Sequence, residues 1–131
     1  MPINLRQIEI FQPYNNEVSE TLLLEADMDE AAVDAWLASD LVRVAKLGEE
    51  VLAVYAMDKG DGKTYRLHGV VVATKVRKQG LGRWLVGHAI GVAESKGARH
   101  VLFTSKQASR FFSAIGFVPD DEGQRIDLIP E

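Results

Sequence analysis

Six consecutive residues, Arg77-Lys78-Gln79-Gly80-Leu81-Gly82, combine cations with glycines in a way that suits binding of a polyphosphate. They follow a β-branched run and precede apolar residues at helical spacing, so the pattern predicts a strand, a loop and a helix in that order. The first N–H groups of a helix lack partners within the helix and lie at the positive end of its dipole, so they bind phosphate oxygens. A Cβ at position 80 or 82 would hold those oxygens away from the backbone.

This loop differs from two common nucleotide-binding motifs. A Walker loop ends in Gly-Lys-Ser/Thr, and a dinucleotide-binding loop needs a third glycine and a later acidic residue, neither of which the chain has. Further cations, Lys75 and Arg83, flank the loop in a chain whose formal net charge is −4. A local cluster of cations in an acidic protein favours a polyanionic ligand. The alternative is a solvated basic loop with no ligand.

A second pattern follows the predicted helix and the next strand. It reads Ser105-x-x-Ala108-x-x-Phe111-Phe112-x-x-x-Gly116-Phe117. Together the two patterns resemble the signatures of the GNAT superfamily of acyl-CoA-dependent N-acyltransferases, the second being usually written Asn-x-x-Ala-x-x-Phe/Leu-Tyr-x-x-x-Gly-Phe. Ser105 stands where Asn is usual, and Phe112 stands where the family often has the Tyr that protonates the leaving thiolate.

The resemblance implies a fold, a ligand and an activity. The expected fold is one mixed α/β domain over residues 1–131, a twisted sheet of six or seven strands with helices on both faces and splayed fourth and fifth strands. The expected activity is transfer of an acetyl group from acetyl-CoA to a primary amine of a small-molecule or protein acceptor. The alternative is a catalytically weak or inactive domain that binds CoA or acetyl-CoA and regulates a partner. The implied cofactor-binding residues are Val70, Val71, Val72, Arg77, Lys78, Gln79, Gly80, Leu81, Gly82, Arg83, Ser105 and Phe112.

His68 is the candidate general base. An unperturbed histidine has a pKa of about 6.5, which suits proton removal near neutral pH. With a period of two, His68, Val70 and Val72 are expected on one face of the sheet. The alternative is a histidine that only packs on the sheet or lies at its edge. His88 and His100 are weaker candidates for the base.

The proton for the leaving thiolate has no evident source. Phe112 has no titratable group, and the sequence does not place any of the phenols of Tyr14, Tyr55 and Tyr65 beside the sulfur. Water is a further candidate donor, since the thiolate of CoA is a fair leaving group.

Composition excludes several classes of function. The chain has no cysteine, so it forms no disulfide, thiolate metal site or cysteine nucleophile, and we expect a cytoplasmic protein without a metal. The first residues lack the apolar block of a signal peptide, and no segment has the length of a membrane span. The negative net charge argues against binding of nucleic acid or membrane surfaces. We expect a monomer or homodimer.

Hydrophobic periodicity predicts the remaining elements. The predicted strands are residues 3–10, 41–47, 51–57, 65–73, 101–104, 117–118 and 126–128, and the predicted helices are residues 16–26, 29–38, 81–96 and 108–115. A turn is expected over residues 119–123, and Gly97 is placed to end its helix. Gly87 and Gly91 lie four residues apart on one helical face, where we expect them to allow close approach to the sheet.

Overall fold

The computed structural model of the 131-residue chain describes residues 4–12, 30–103 and 109–128. The helices are α1 (Glu30–Leu37), α2 (Leu81–Ser95) and α3 (Ser109–Ile115), with 3₁₀ turns at Leu5–Gln7 and Thr74–Val76. The strands are β1 (Glu9–Phe11), β2 (Leu41–Leu47), β3 (Glu50–Lys59), β4 (Thr64–Val72), β5 (His100–Phe103), β6 (Val118–Asp120) and β7 (Gly123–Asp127). These elements form the mixed α/β fold that the resemblance implied.

All seven strands belong to one sheet, in the order β1-β2-β3-β4-β5-β7-β6. β4 and β5 pair in parallel, and every other neighbouring pair is antiparallel. The central strand β3 is buried from Leu52 to Met57, which explains its continuous apolar run, because both faces of the sheet are covered there. The described pairing of β4 with β5 covers only Thr64 to Leu67, and a cleft opens beside the rest of β4.

Helices cover opposite faces of the sheet. The ring of Trp36 in α1 packs over Gly69, which pairs with Ala56 of β3. The hydroxyl of Tyr55, the neighbouring residue on β3, lies 3.0 Å from Nδ1 of His88 in α2. Since neighbouring residues of a strand point to opposite faces, α1 and α2 lie on opposite sides of the sheet. Of the helices in the described ranges, none combines the length and apolar character needed to span a bilayer.

Both ends of the described chain differ from the predicted elements. Leu5–Gln7 forms a 3₁₀ turn instead of part of a strand, because the side chain of Asn4 accepts a hydrogen bond of 3.0 Å from the amide of Arg6. The turn expected over residues 119–123 is shorter, since Pro119 already belongs to β6 and Gly123 opens β7. Proline is tolerated there because β6 is an edge strand. The predicted helix over residues 16–26 lies outside the described residues.

The glycines of α2 do not have the role expected from their spacing. Gly87 and Gly91 are exposed, and a Cβ on either would meet no atom of the described residues within 4 Å. The expectation of close approach to the sheet is therefore wrong. Larger residues make that contact, since Leu85, Val86, Ala89 and Ala93 are fully buried. Gly97 does end the helix, with a φ of 89°.

Candidate functional site

β4 carries a bulge beside the cleft. Ala56 of β3 pairs with Gly69, whereas the next residue of β3, Met57, pairs with Leu67. His68 is therefore the extra residue of the bulge, without an opposite residue on β3. Gly69 has a φ of 151°, and a Cβ there would lie 3.2 Å from Cζ2 of Trp36. This bulge consequently depends on glycine both for its backbone conformation and for the packing of the tryptophan.

The bulge reverses the direction of the side chains that follow it. Leu67 and Val70 point to the same face, because their partners on β3 are two residues apart. His68 is adjacent to Leu67 and points to the opposite face. The expectation that His68 shares a face with Val70 and Val72 is therefore wrong, because one inserted residue shifts the period of two.

His68 forms a pair with a carboxylate of the neighbouring strand. Its Nε2 lies 2.5 Å from Oδ2 of Asp58, and the two side chains are 33% and 31% exposed. The other carboxylate oxygen, Oδ1, accepts a hydrogen bond of 2.6 Å from the amide of Asp40. Burial alone would raise the pKa of Asp58, but the hydrogen bonds from the amide of Asp40 and from His68, together with the charge of His68, hold it below its usual value. Asp58 is therefore ionised at neutral pH.

The loop between β4 and α2 has the backbone of an anion site. Lys78 and Gly80 adopt left-handed conformations, with φ values of 65° and 85°. Left-handed residues interleaved with others arrange successive N–H groups into a concavity that binds anions. Gly80 is also the N-cap of α2, and its carbonyl accepts a hydrogen bond of 3.0 Å from the amide of Trp84. The first amides of the helix and those of the loop thus lie side by side.

A cleft of about 780 Å³ joins this loop to the histidine. His68, the candidate base, lines it, and so do most of the residues expected to bind the cofactor: Val70, Val71, Val72, Arg77, Lys78, Gly80, Leu81, Gly82, Arg83 and Phe112. Gln79, although described, is not one of them, and Ser105 lies outside the described residues. The cleft has further lining residues that the sequence reasoning missed: Trp36, Gly69, Val76, Phe103 and Phe111.

One of the missed residues had a recognisable signal. An isolated glycine inside a strand pattern, as at Gly69, indicates a bulge or a close approach of another group, and both occur here. Trp36 and Phe103 had no comparable signal, because their positions depend on how distant elements pack.

Aromatic rings form one wall of the cleft. Phe112 is 3% exposed and stacks on Phe103, with ring centroids 4.1 Å apart. Phe111 and Phe117 each meet it edge to face, at 5.1 Å. The position that often carries a tyrosine in the family is thus occupied by a ring held on three sides.

The cations of the predicted cluster have different surroundings. Nε of Arg77 donates a hydrogen bond of 3.0 Å to the carbonyl of Val72, which fixes its guanidinium beside the end of β4. Lys78 and Arg83 are exposed residues that line the cleft. Lys75 instead forms an ion pair with Glu50 and is not among the lining residues. The cationic end of the cleft is therefore made by Arg77, Lys78 and Arg83.

The other candidate acids and bases lie elsewhere. His88 bonds to Tyr55 between α2 and the sheet, where burial and Arg43 lower the pKa of His88, and burial raises the pKa of Tyr55 to about 12. Nδ1 of His100 lies 2.7 Å from Oδ1 of Asp127, at the other end of β5. None of these residues is among those that line the cleft, nor is Tyr65. Tyr14 lies outside the described residues.

Comparisons with known proteins identify the family. A model of the acetyltransferase (GNAT) family matches residues 5–117. The uncharacterized N-acetyltransferase YvbK of Bacillus subtilis (strain 168) is 33% identical over 92 residues, which are 70% of this chain and 59% of that protein. This chain thus spans only 59% of the length of that relative.

Solved structures share the fold. A GNAT family acetyltransferase from Elizabethkingia anophelis with acetyl-CoA bound has a TM-score of 0.78 at 20% identity, over 93% of this chain and 99% of that one. The IAA acetyltransferase from Bacillus cereus ATCC 14579 has a TM-score of 0.75 at 25% identity, over 87% and 79% of the two chains. Because the family model covers most of its length, this chain belongs to the GNAT family of acetyltransferases.

Proposed function

We propose that the protein transfers an acetyl group from acetyl-CoA to the primary amine of a small acceptor. One observation carries the proposal: a cationic glycine loop and a histidine paired with a carboxylate line the same cleft. Val72 lies four positions after His68 on β4, a span of about 13 Å in a strand. A ligand with a polyphosphate at one end and a reactive group at the other suits that arrangement.

The parts of the cofactor match the parts of the cleft. The pyrophosphate is expected on the amides of Lys78 to Gly82, with the charges of Arg77 and Arg83 beside it. The acyl-bearing arm is expected along Val70 to Val72, where backbone amides bind it and the apolar side chains form walls. The structural neighbour from Elizabethkingia anophelis, which shares the fold, has acetyl-CoA bound.

Acetyl transfer in this cleft needs one base and one proton donor. The neutral amine attacks the thioester carbonyl carbon, the N–C bond forms, and the C–S bond then breaks to release the thiolate. His68 removes the proton that the amine nitrogen loses. The ring of Phe112 has no proton to give, so the thiolate takes its proton from water.

Turnover tests the proposal directly. Wild-type protein is mixed with acetyl-CoA and a panel of primary amines, and release of the thiol is followed. Amine-dependent thiol release supports acetyl transfer, whereas calorimetric binding of CoA without turnover on any amine contradicts it.

A second candidate function is favoured by Phe112 alone. A cleft that binds CoA but lacks the family's usual proton donor suits a domain that regulates a protein partner. Under that alternative CoA binds with the same contacts to the loop, and thiol release stays at the background rate with every amine.

His68→Ala is expected to lower kcat by about 10²-fold, because general bases contribute factors of that size. The affinity for CoA should not change, since the phosphate-binding loop lies at the other end of the cleft. His100→Ala is the matched control, because His100 also bonds to an aspartate but does not line the cleft. Equal rates for the two variants would remove His68 from the mechanism.

Gly80→Ala is expected to weaken CoA binding about tenfold, which corresponds to one lost hydrogen bond to a charged phosphate. Its left-handed conformation also makes any side chain cost about 1 kcal/mol of stability. Gly97→Ala has the same cost at the other end of α2, where φ is 89°. Calorimetry and thermal melts should show similar destabilisation of both variants, with weaker CoA binding only in Gly80→Ala. Unchanged affinity in both would contradict the assignment of the loop.

A further inference from the structure

The contacts of Asp58 determine which nitrogen of His68 carries a proton. Both carboxylate oxygens are used, Oδ1 by the amide of Asp40 and Oδ2 by Nε2 of His68. An ionised carboxylate only accepts hydrogen bonds, so Nε2 must be the donor of this pair. In neutral His68 the lone pair that can accept a proton is then on Nδ1. Within the described residues, no hydrogen bond of the structure engages Nδ1.

We infer that Asp58 is a positioning residue that holds His68 in the tautomer whose Nδ1 accepts the proton of the acceptor amine. The inference rests on the proposed function, in which His68 is the base. Asp58 does not line the cleft, so it acts through His68 and not by touching the substrate.

Other charged groups near Asp58 and His68 do not change which of the two donates the hydrogen bond. Arg66, two residues before His68 on β4, forms an ion pair of 3.6 Å with Glu122 and so is directed to β6 and β7. Asp40 contributes its backbone amide to Asp58, and its side chain is exposed. Among the described residues, Asp58 is therefore the carboxylate in direct contact with the imidazole.

Asparagine at position 58 should reverse the tautomer with almost no change of shape. The amide of Asp40 only donates, so it holds the single oxygen of Asn, and the NH₂ group then faces His68. Nε2 must accept from that NH₂ group, which places the proton on Nδ1 and removes the base. Asp58→Asn is therefore expected to resemble His68→Ala in rate while retaining the fold.

Kinetics and NMR test the inference together. We expect Asp58→Asn to lower kcat by about 10²-fold with an unchanged KM for acetyl-CoA. The double variant with His68→Ala should be no slower than His68→Ala alone, because the two residues act as a unit. Asp127→Asn is the matched control, since Asp127 also bonds to a histidine, Nδ1 of His100, and neither residue lines the cleft. Its rate should equal that of the wild type.

Nitrogen NMR of histidine-labelled protein reads the tautomer without any substrate. The signals of His68 are assigned by their loss in His68→Ala, and neutral His68 should carry its proton on Nε2 in the wild type and on Nδ1 in Asp58→Asn. A wild type with the proton on Nδ1 would overturn the inference, as would full activity of Asp58→Asn. An increased KM for the amine with an unchanged kcat would also overturn it, because Asp58 would then bind the acceptor. The tautomer change in a protein that acetylates no amine would uphold the positioning of His68 and overturn only the proposed function.

Discussion

Gly82→Val is expected to abolish measurable binding of CoA while the protein stays folded. A Cβ at position 82 would lie 3.5 Å from Cζ of Phe111 and 3.6 Å from Cγ2 of Val72, both of which line the cleft. These are ordinary contact distances, so the first carbon is accommodated. The two methyl groups of valine extend beyond it and fill the passage between the glycine loop and the aromatic wall. We expect an affinity at least about 100-fold lower, which corresponds to a loss of at least about 2.7 kcal/mol of binding free energy.

Gly87→Val is the matched control for this substitution. Gly87 lies on the same helix, has an exposed position and would place its Cβ within 4 Å of no described atom. Valine is a better helix former than glycine, so neither variant should destabilise α2. Calorimetry with CoA should separate the two variants, and thermal melts should not. Comparable CoA affinities would show that the ligand does not pass Gly82.

The glycine-loop end of the cleft was predictable from sequence because its determinants are local. Arg77, Gly80 and Gly82 fall within six residues, and the strand and helix that present them follow from periodicity over neighbouring segments. The structure places all three in the cleft. Gln79 belongs to the same six residues but does not line the cleft, since its place in the pattern does not decide where its side chain points.

The end of the cleft that holds His68 was only partly predictable because its geometry depends on distant elements. His68 was recognised as a titratable residue on β4, but its direction was wrong because the bulge between β3 and β4 is a property of the pair. Asp58 and His68 are ten residues apart and meet only through the antiparallel register of these strands. Trp36 reaches the same region from α1. No pattern within a single segment contains these contacts.

Gly69 connects the two parts of the cleft. Its positive φ permits the bulge that turns His68 toward Asp58, and its missing side chain leaves room for Trp36. The residues that follow it, Val70 to Val72, continue to the glycine loop. A change in one glycine of β4 would therefore alter the direction of His68 and the wall of the cleft together.

Phe112→Ala is expected to lower the free energy of unfolding by about 3 to 5 kcal/mol, the usual cost of removing a buried phenylalanine side chain. Phe112 is 3% exposed and contacts three other aromatic rings. Phe117→Ala is the matched control, since Phe117 is equally buried but does not line the cleft. Both variants should melt at lower temperature, and only Phe112→Ala should also weaken CoA binding, measured well below its melting temperature. Equal CoA affinities in the two variants would exclude Phe112 from the ligand's surroundings.

Phe112→Tyr then tests whether the edge of this ring that borders the cleft faces the leaving thiolate. A buried phenol without a partner would cost about 1 to 3 kcal/mol, visible as a lower melting temperature. A hydroxyl that reaches the cleft instead finds water or the sulfur and leaves stability unchanged. We expect the second result, with thiol release equal to or faster than that of the wild type, because the added hydroxyl supplies the proton that the family's usual tyrosine gives. A large loss of activity at unchanged stability would contradict the placement of Phe112 beside the leaving group.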